Sequence, residues 1–503
     1  MKSLKASGIY TLGCFCDCGE SYLTGKQGAL LGRMPLSDGI HHEIGDRQAF
    51  LQAALEQATP EQRQLCNELL QLAGGLDEAL AAAFGASVTE FLSCTRSSQF
   101  RRRDFLTKVA AAAAVVTLAS CFNNQSQAPI QSLTASTAAT EKLEKTDITL
   151  GFLPITCATP ILVAETQGIY QKYGLNVTLK KLPNWAAVRE SAIAGELDAY
   201  HMLSPMPISI SLGLGSSAFP IKLASIENTN GQSIVLAQKY KDRVKGSADF
   251  KGLKIAIPFP FSMHNLLLRY YLAAGNLNPD KDVKLQIMPP ADAIAQLATE
   301  QIDGFILPDN FGQRAVAQKI GFIHLLTRDL WAGHPCCSFA ASRVWIDANP
   351  NTFRAVNKAI TEAAAYANAA ENRPVIAQTL SERKYLNQPE PVLKAVLTGK
   401  FEDGLGKTLD VPDRVGFDPY PWKSFATWIS SQFVRWNLLP KDKADYPAIA
   451  EQIYLTDLAR ELAKELGQTP SSKETRTETL KFDTFDPANP AAYVEAQIKK
   501  FNV

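Results

Sequence analysis

The sequence predicts an α/β protein with two similar units, each a mostly parallel sheet flanked by helices, followed by a helical C-terminal region. Three observations support this prediction. Strand-like and helix-like segments alternate twice along the chain, apolar residues at helical spacing dominate from about Asn349 to Leu466, and 46% of the 503 residues are hydrophobic, which is enough for a large core. Strands that alternate with helices of this length form parallel sheets with right-handed crossovers.

The first unit begins with a buried strand from Ile148 to Phe152. The stretch PILVAETQGIYQKYGL has helical spacing and ends at Gly174, and NVTLKKLP is a second strand. A helix from Trp185 to Ile193 follows, then a turn at Gly195 and a third strand. The second unit repeats this pattern. Its strands are LKIAIPF, VKLQIMPP and IDGFILPD, and its helices are SMHNLLLRYYLAAGNL and DAIAQLATEQ.

Residues 97–121, well inside the chain, have the pattern of a signal segment: a basic cluster, an apolar run and small residues before a cysteine. RRRDFLTK places Arg102 and Arg103 one residue before Phe-Leu and resembles a twin-arginine signal, and LASC resembles a lipobox ending at Cys121. The apolar run between them, Val109 to Ala119, is shorter than the roughly 20 residues that span a bilayer. We therefore expect a lipid anchor at Cys121, with a buried alanine-rich helix as the alternative.

The segments on either side of this signal have different characters. Residues 1–96 predict short helices, with a helical hairpin over 47–94, and represent either a long cytoplasmic leader or a start assigned too early. The alternating cysteines Cys14, Cys16 and Cys18 lack the second pair that zinc sites use, which disfavours a metal site there. Residues 122–146 are polar and predict a flexible tether.

Composition and motifs exclude several classes of function. With 51 basic and 50 acidic residues the net charge is +1, which gives no sign of a nucleic-acid surface. The chain contains no P-loop, no Gly-x-Ser-x-Gly, no His-Glu-x-x-His and no dinucleotide-binding glycine motif. Cys157, Cys336 and Cys337, the three cysteines after Cys121, are too few for a disulfide framework. We therefore expect neither an enzyme nor a bound metal or cofactor.

Polar residues at strand ends and helix starts mark a candidate ligand site, because doubly wound sheets bind ligands there. The candidates are Trp185, Gln232 in NTNGQS, His264 in FSMHNLLLRYY, and GHPCCS, Gly333 to Ser338. Each has a plain structural explanation as well: core packing for Trp185 and the cysteines, a turn for Gln232, and a helix start for His264.

From Leu150 to about Asn502 the chain resembles the nitrate- and bicarbonate-binding lipoproteins of cyanobacterial ABC importers, within a wider family that includes sulfonate-binding and thiamine-precursor proteins. The matching stretches include LGFLPITCATPILVAETQGIYQKYGL, HMLSPMPI, NTNGQ, RYYLAAGNLNPDKDV, DLWAGHP, VRWNLLP and TFDPANPAAYVEA. The resemblance implies a two-lobed periplasmic solute-binding fold of the type II kind. We expect one lobe from 147–228 with 344–503 and the other from 229–343.

The resemblance implies that the chain binds a small oxyanion of the nitrate or bicarbonate type by lobe closure and delivers it to an ABC permease. It also implies a plasma-membrane location on the periplasmic face. Two alternatives come from the same superfamily: an enzyme like the thiamine-pyrimidine synthases, whose cysteine-rich iron motif HPCCSF faintly resembles, and a soluble solute sensor. Both alternatives predict a soluble cytoplasmic protein.

The family's anion-binding Trp, Gln and His match Trp185, Gln232 and His264, and two further site positions depart from the pattern. Asp309 stands where the family has Glu, and Cys337 stands where it has the Lys that partners the anion. The loss of that charge favours a solute other than nitrate. A metal held by His334, Cys336 and Asp309 is an alternative, which is disfavoured because adjacent strand residues such as Cys336 and Cys337 normally point apart.

Overall fold

The structure is a computed structural model and describes residues 142–503. Arg102, Arg103 and Cys121 lie outside the described residues. So do the predicted segments 1–96 and 97–121 and nearly all of the tether 122–146.

The described chain contains fifteen strands and fifteen α-helices. The strands are β1 (Asp147–Phe152), β2 (Asn176–Lys181), β3 (Ala199–Leu203), β4 (Ile221–Asn230), β5 (Gln232–Ala237), β6 (Lys254–Ile257), β7 (Lys284–Ile287), β8 (Gly304–Pro308), β9 (Gly321–Leu326), β10 (Pro335–Ser342), β11 (Lys400–Glu402), β12 (Thr408–Asp410), β13 (Val415–Gly416), β14 (Glu478–Thr479) and β15 (Thr484–Phe485). The helices are α1 (Thr159–Thr166), α2 (Ile169–Lys172), α3 (Trp185–Ile193), α4 (Pro205–Ser211), α5 (Met263–Ala274), α6 (Pro290–Ala298), α7 (Asp309–Ala317), α8 (Arg343–Ala348), α9 (Pro350–Asn368), α10 (Arg373–Leu380), α11 (Glu390–Thr398), α12 (Lys423–Arg435), α13 (Tyr446–Ile453), α14 (Thr456–Glu465) and α15 (Pro490–Phe501). Within residues 142–503, every helix is too short or too polar to traverse a lipid bilayer.

Two sheets organise the fold and confirm the predicted two-lobed α/β class. The first has six strands in the order β13-β4-β10-β3-β1-β2, and the second has five in the order β7-β6-β8-β5-β9. The β1–β2, β1–β3, β6–β7 and β6–β8 pairs are parallel. The remaining pairs in both sheets are antiparallel, so the sheets are mixed rather than mostly parallel. The antiparallel pairs arise because β4, β5, β9 and β10 carry the chain between the two sheets.

The predicted elements agree with the structure at most positions. The helix Trp185–Ile193 has the predicted bounds, and the helix predicted to end at Gly174 is divided into α1 and α2. The division falls at Gly168, whose φ of 65° is left-handed and interrupts the helical hydrogen-bond ladder. The predicted C-terminal helices are present and are interrupted by the small β11–β12 hairpin.

The chain passes from the first sheet to the second within two residues. β4 ends at Asn230 and β5 begins at Gln232, and both Asn230 (φ 57°) and Gly231 (φ 78°) are left-handed. The chain returns between β9 and β10. The predicted lobe boundary at 343 therefore differs from the structure, because β10 (Pro335–Ser342) belongs to the six-stranded sheet.

Asn230 ties three chain segments together at this crossing. Its side-chain Nδ2 donates to the carbonyl of Asp413 at 2.8 Å, and its Oδ1 accepts from the Gly333 N–H at 2.8 Å. The Gly231 N–H donates to the carbonyl of Arg414 at 3.0 Å. We call these three segments, 230–231, 333–334 and 413–415, the crossing.

Helices cover both faces of the six-stranded sheet, and its core is divided accordingly. One buried cluster includes Leu150, Phe152, Ile161, Val356 and Leu393, which join β1 to α1, α9 and α11. The other cluster is larger and extends from the opposite face of this sheet into the five-stranded sheet. Because one core continues through both sheets, the candidate site between them is enclosed by packed side chains.

Candidate functional site

The predicted site residues lie where the two sheets face each other. Trp185 is the first residue of α3 and follows β2, His264 is the second residue of α5 and follows β6, and Asp309 begins α7 directly after β8. Each of these three residues follows the carboxyl end of a strand that belongs to a parallel pair. Open α/β sheets bind ligands at this edge. Gln232 begins β5 and is paired in register with Pro308, beside Asp309.

Trp185 is fixed by the start of its helix. The Asn184 side chain accepts a hydrogen bond from the Ala187 N–H at 2.9 Å and caps α3. The indole is 1% exposed and meets the His201 ring edge-on, with centroids 5.3 Å apart. Within residues 142–503, the Trp185 Nε1 has no hydrogen-bond partner. This N–H donor is therefore buried and directed at no protein acceptor.

Gln232 presents an unused amide at the same place. Its backbone carbonyl accepts a hydrogen bond from the Thr327 hydroxyl at 3.1 Å, which fixes the start of β5. Its side chain is buried, and neither Nε2 nor Oε1 has a partner among the described residues. Since most buried polar groups in proteins are paired, an unpaired amide at this edge indicates a ligand contact.

Two histidines are buried in the site in their neutral forms. The Ser262 side chain caps α5 by accepting from the Asn265 N–H at 3.0 Å, and this cap places His264 in the first turn. Burial lowers the pKa of His264 to about 4 and that of His201 to about 3. In the described part of the chain, no partner reaches either ring nitrogen of either residue.

Three sulfur atoms meet beside these residues. Cys157, in the turn after β1, places its Sγ 3.6 Å from that of Cys336, and the Sγ atoms of Cys336 and Cys337 are 3.7 Å apart. The expectation that Cys336 and Cys337 point apart is therefore wrong. The pairing of β10 with β4 shifts register on both sides of Cys337, and such an irregularity breaks the strict alternation of side chains.

The middle sulfur is the most acidic of the three. Burial raises the pKa of Cys157 and of Cys337. Burial also opposes ionisation of Cys336, but hydrogen bonds from the Cys157 and Cys337 thiols outweigh it, so the pKa of Cys336 is lowered. The Cys336 sulfur lies within electrostatic range of the His264 ring.

Asp309 is held by a buried cation that the sequence did not reveal. Its Oδ2 accepts from the Arg414 Nε at 2.9 Å, and both side chains have zero exposure. Arg414 also donates to the Gln313 Oε1 at 2.8 Å. The Asp309 Oδ1 has no partner among residues 142–503. Arg414 therefore supplies a positive charge near the site, and Asp309 compensates it.

The structure does not assemble the metal site that the sequence offered as an alternative. The His334 Nε2 lies 2.9 Å from the Thr327 hydroxyl, and Asp309 is paired with Arg414. Among the described residues, the set with the spacing of metal ligands is Cys157, Cys336 and Cys337.

All five predicted residues belong to one connected cluster. Trp185 contacts His201, and the His201 and His264 rings both lie within electrostatic range of Cys336. Cys337 adjoins Cys336, Gln232 is paired with Pro308 beside Asp309, and Asp309 lies near enough to Cys157 to raise its pKa. Sequence reasoning missed His201, Cys157 and Arg414. Cys157 follows a predicted strand, which was an available signal, whereas Arg414 lies in a loop far along the chain and gave none.

A separate cavity of about 630 Å³ lies between α10 and α11. It is lined by Arg373, Pro391, Lys394 and Thr398, among others, and by none of the predicted site residues. Arg373 donates from Nη1 to the carbonyls of Leu397, Pro412 and Val415 and so joins α10 to neighbouring loops. These bonds give the Arg373 guanidinium a structural role.

Comparison with known proteins identifies the family. Residues 141–381 match the NMT1-like family. The chain is 34% identical to the nitrate/nitrite binding protein NrtA of Nostoc sp., in an alignment that covers 80% of this chain and 99% of that protein. The chain belongs to the NMT1-like family. Another relative in this group, the bicarbonate-binding protein CmpA of Synechococcus elongatus, is 30% identical over 71% of this chain and 88% of its own length.

Solved structures agree with this assignment to the NMT1-like family. The periplasmic nitrate-binding protein NrtA of Synechocystis PCC 6803 superimposes with a TM-score of 0.68 at 30% identity, covering 71% of this chain and all of that one. A zinc-bound ligand-binding component of an ABC-type import system from Staphylococcus aureus, at 17% identity, has a TM-score of 0.52, covers 63% of this chain and 99% of its own length, and shows a shared fold alone. The NrtA and CmpA relatives are named as binding proteins, in agreement with the prediction that the chain is not an enzyme.

Proposed function

We propose that this protein is the extracytoplasmic solute-binding component of an ABC importer and that it encloses one small oxyanion-type solute between its two sheets. The observation that supports this most is the concentration of unused buried donors at one place: the Trp185 indole, the Gln232 amide and the His264 imidazole. The names of the nitrate/nitrite and bicarbonate-binding relatives support the solute class.

The donors suit a small planar oxyanion. An indole N–H, an amide NH₂ and a neutral imidazole N–H each donate without carrying charge, and a dry cleft with a few well-aimed donors provides specificity. Arg414 carries a positive charge near this cluster, but it is already paired with Asp309. With Cys337 adding no charge, the cleft favours a solute that binds through hydrogen bonds rather than through a salt bridge.

Binding by lobe closure fits the crossing between the sheets. The six-stranded and the five-stranded sheet each organise one proposed lobe, and the left-handed pair Asn230 and Gly231 joins the two. A solute that contacts Trp185 on one side and Gln232, His264 and Asp309 on the other stabilises the closed form through contacts that the open form lacks. The closed form is then the form that a permease in the plasma membrane recognises.

Attachment to the membrane is the part of the proposal that depends on residues before the tether. Arg102 and Arg103 would direct export, and acylation at Cys121 would hold the protein at the periplasmic face of the plasma membrane. If residues 122–146 form the tether that their composition predicts, the lobes would be free to reach a permease.

Titration calorimetry of the full chain with nitrate, nitrite and bicarbonate tests the proposal. Trp185→Ala, Gln232→Ala and His264→Ala should each weaken binding by on the order of 1 to 3 kcal/mol, because each removes one buried hydrogen bond. Gln238→Ala and His324→Ala are matched controls. Gln238 donates to the carbonyls of Gly321 and Gly404, His324 lies beside Tyr271, and neither residue belongs to the site cluster. Equal affinities in site and control variants would refute the assigned site.

A further inference from the structure

The three-thiol cluster of Cys157, Cys336 and Cys337 is a feature that oxyanion binding does not use. All three side chains have zero exposure, and no disulfide joins them in the described part of the chain. Two structural devices bring them together. The turn after β1 directs Cys157 towards β10, and the irregular register of β10 places Cys336 and Cys337 on the same side.

The spacing of the sulfur atoms fits a single metal ion. Zinc–sulfur bonds of roughly 2.3 Å in a tetrahedron separate neighbouring sulfurs by about 3.8 Å. The observed separations are 3.6 Å for Cys157–Cys336 and 3.7 Å for Cys336–Cys337, and all three Sγ atoms lie within 4.8 Å of one another. Two of the three separations therefore match a tetrahedral site within about 0.2 Å, and the Cys157–Cys337 separation needs to shorten by at most about 1 Å.

His264 is a candidate fourth ligand. It does not belong to the set of ligand atoms that lie within 4.8 Å of one another, so its ring must approach the sulfurs when an ion binds. His264 is fully buried, its ring lies within electrostatic range of Cys336, and neither ring nitrogen has a partner among residues 142–503. Three thiolates and one imidazole form a common donor set for zinc.

We propose that Cys157, Cys336 and Cys337, with His264 as the fourth ligand, bind one thiophilic metal ion of the zinc class. The inference rests on the proposed function only in its location, since the ion occupies the same cleft as the solute. Because an ion at His264 removes one oxyanion donor and three thiolates leave a net negative charge, the metal and an oxyanion should oppose each other's binding. This makes a metal ion an alternative cargo for the cleft.

The test uses a full chain in which only the cluster can offer thiolates. Replacing Cys14, Cys16, Cys18, Cys66, Cys94 and Cys121 by Ser leaves three of the nine cysteines. This chain is titrated with Co²⁺ and Zn²⁺ under reducing conditions, in a buffer without nitrate, nitrite or bicarbonate. We expect one ion per chain, with thiolate-to-cobalt charge-transfer absorption. Cys336→Ser in this background should lower zinc affinity at least 100-fold, and His264→Ala should lower it roughly 10- to 100-fold while keeping the charge-transfer band.

X-ray absorption of the zinc-loaded chain provides a second readout that needs no cluster variant. Three sulfurs at roughly 2.3 Å and one nitrogen support the proposal. Three results would overturn the proposal: a coordination shell of nitrogen and oxygen alone, absence of the charge-transfer band, or a zinc affinity that Cys336→Ser leaves unchanged. Oxyanion binding is measured separately on the wild-type chain with a chelator present. Loss of one activity therefore leaves the other measurable, and the two proposals can fail independently.

Discussion

His324 lies outside the candidate site and reports on burial alone. Its Nε2 is 2.8 Å from the Tyr271 hydroxyl, and the Phe250 ring meets it at a centroid distance of 5.3 Å. Burial lowers the pKa of His324 to about 4, against a weaker opposing attraction from Asp249. The folded protein therefore keeps this side chain neutral at pH values where an unfolded chain protonates it.

The sign of the resulting pH dependence follows from this difference. Below about pH 6.5 the unfolded state binds a proton that folded His324 binds only near pH 4, so stability falls as the pH drops through this window. His324→Gln keeps a partner for Tyr271 and cannot titrate. Between pH 7 and pH 5 we expect the wild type to lose about 1 kcal/mol more than the variant, after allowance for the partial exposure of the ring. Denaturant unfolding at both pH values measures the difference, and identical losses would contradict it.

Gly231 is the residue at which the crossing tolerates no side chain. Its φ is +78°, and an added Cβ would lie 2.9 Å from the Asn228 Nδ2 and 3.1 Å from the Val415 Cγ2. Gly231→Ala should therefore cost about 2 to 4 kcal/mol of stability, from left-handed strain and crowding together.

Gly195→Ala is the matched control for Gly231→Ala. Gly195 has a similar φ of +69°, and its added Cβ would meet nothing within 4 Å among the described residues. The control should show the strain of about 1 to 2 kcal/mol without the crowding. Thermal unfolding of both variants would separate the two contributions, and equal losses would show that the crossing is not tightly packed.

At the scale of elements, the Asp309–Arg414 pair joins α7 of the five-stranded sheet to the loop before β13 of the six-stranded sheet. Both side chains are fully buried, and the Arg414 guanidinium also lies 4.0 Å from the centre of the Phe401 ring. Removing one partner of a buried pair leaves an uncompensated charge, which typically costs 3 to 5 kcal/mol. Arg414→Met should destabilise the protein by about this amount.

Two further variants make the ion-pair prediction specific. In the double variant Asp309→Asn with Arg414→Met no buried charge remains, so part of the stability should return. Arg328→Met breaks the exposed pair Arg328–Asp413, whose atoms are 2.8 Å apart, and should cost at most about 1 kcal/mol. Chemical denaturation measures the free energy of unfolding of Arg414→Met, the double variant and Arg328→Met. A double variant no more stable than Arg414→Met would show that the buried charge is not the cause.

Sequence periodicity predicted the elements that follow local rules. Helix α3 has the predicted bounds because Asn184 caps it and its apolar spacing is regular. The strands β4, β5 and β10 were not predicted. The sequence offered a turn as the plain explanation for Gln232, whereas in the structure Gln232 begins β5, directly after the left-handed pair Asn230 and Gly231. Whether two strands pair in parallel or antiparallel depends on which strands carry the chain between the lobes. A local sequence pattern does not contain this information.

The site was predictable where its residues follow strands and unpredictable where distant segments meet. Trp185, His264 and Asp309 each follow a strand that the sequence revealed. Arg414 reaches Asp309 from more than a hundred positions away. The convergence of Cys157 with Cys336 depends on the register of β10, and no spacing rule predicts this contact.

At the scale of the whole molecule, export and lipidation predict that the mature protein begins at Cys121. Cys121→Ser should abolish acylation and release the protein from membranes, because a single Ser cannot carry the lipid. Cys94→Ser is the control and should remain membrane-bound. Replacing Arg102 and Arg103 by Lys should leave precursor in the cytoplasm. Fractionation with intact mass measurement checks each outcome, and a membrane-bound form that retains residues 1–120 would contradict the prediction.

The position of β10 between β3 and β4 has a consequence for the order of folding during synthesis. Every strand of the five-stranded sheet lies between Gln232 and Leu326, so that sheet can form before β10 leaves the ribosome. β3 and β4 are made earlier, yet each must wait for β10 as its partner. In this interval their unpaired edges are available to other chains, a state that favours aggregation and chaperone binding. The six-stranded sheet, whose first strands are synthesised before any strand of the five-stranded sheet, is thus completed after it.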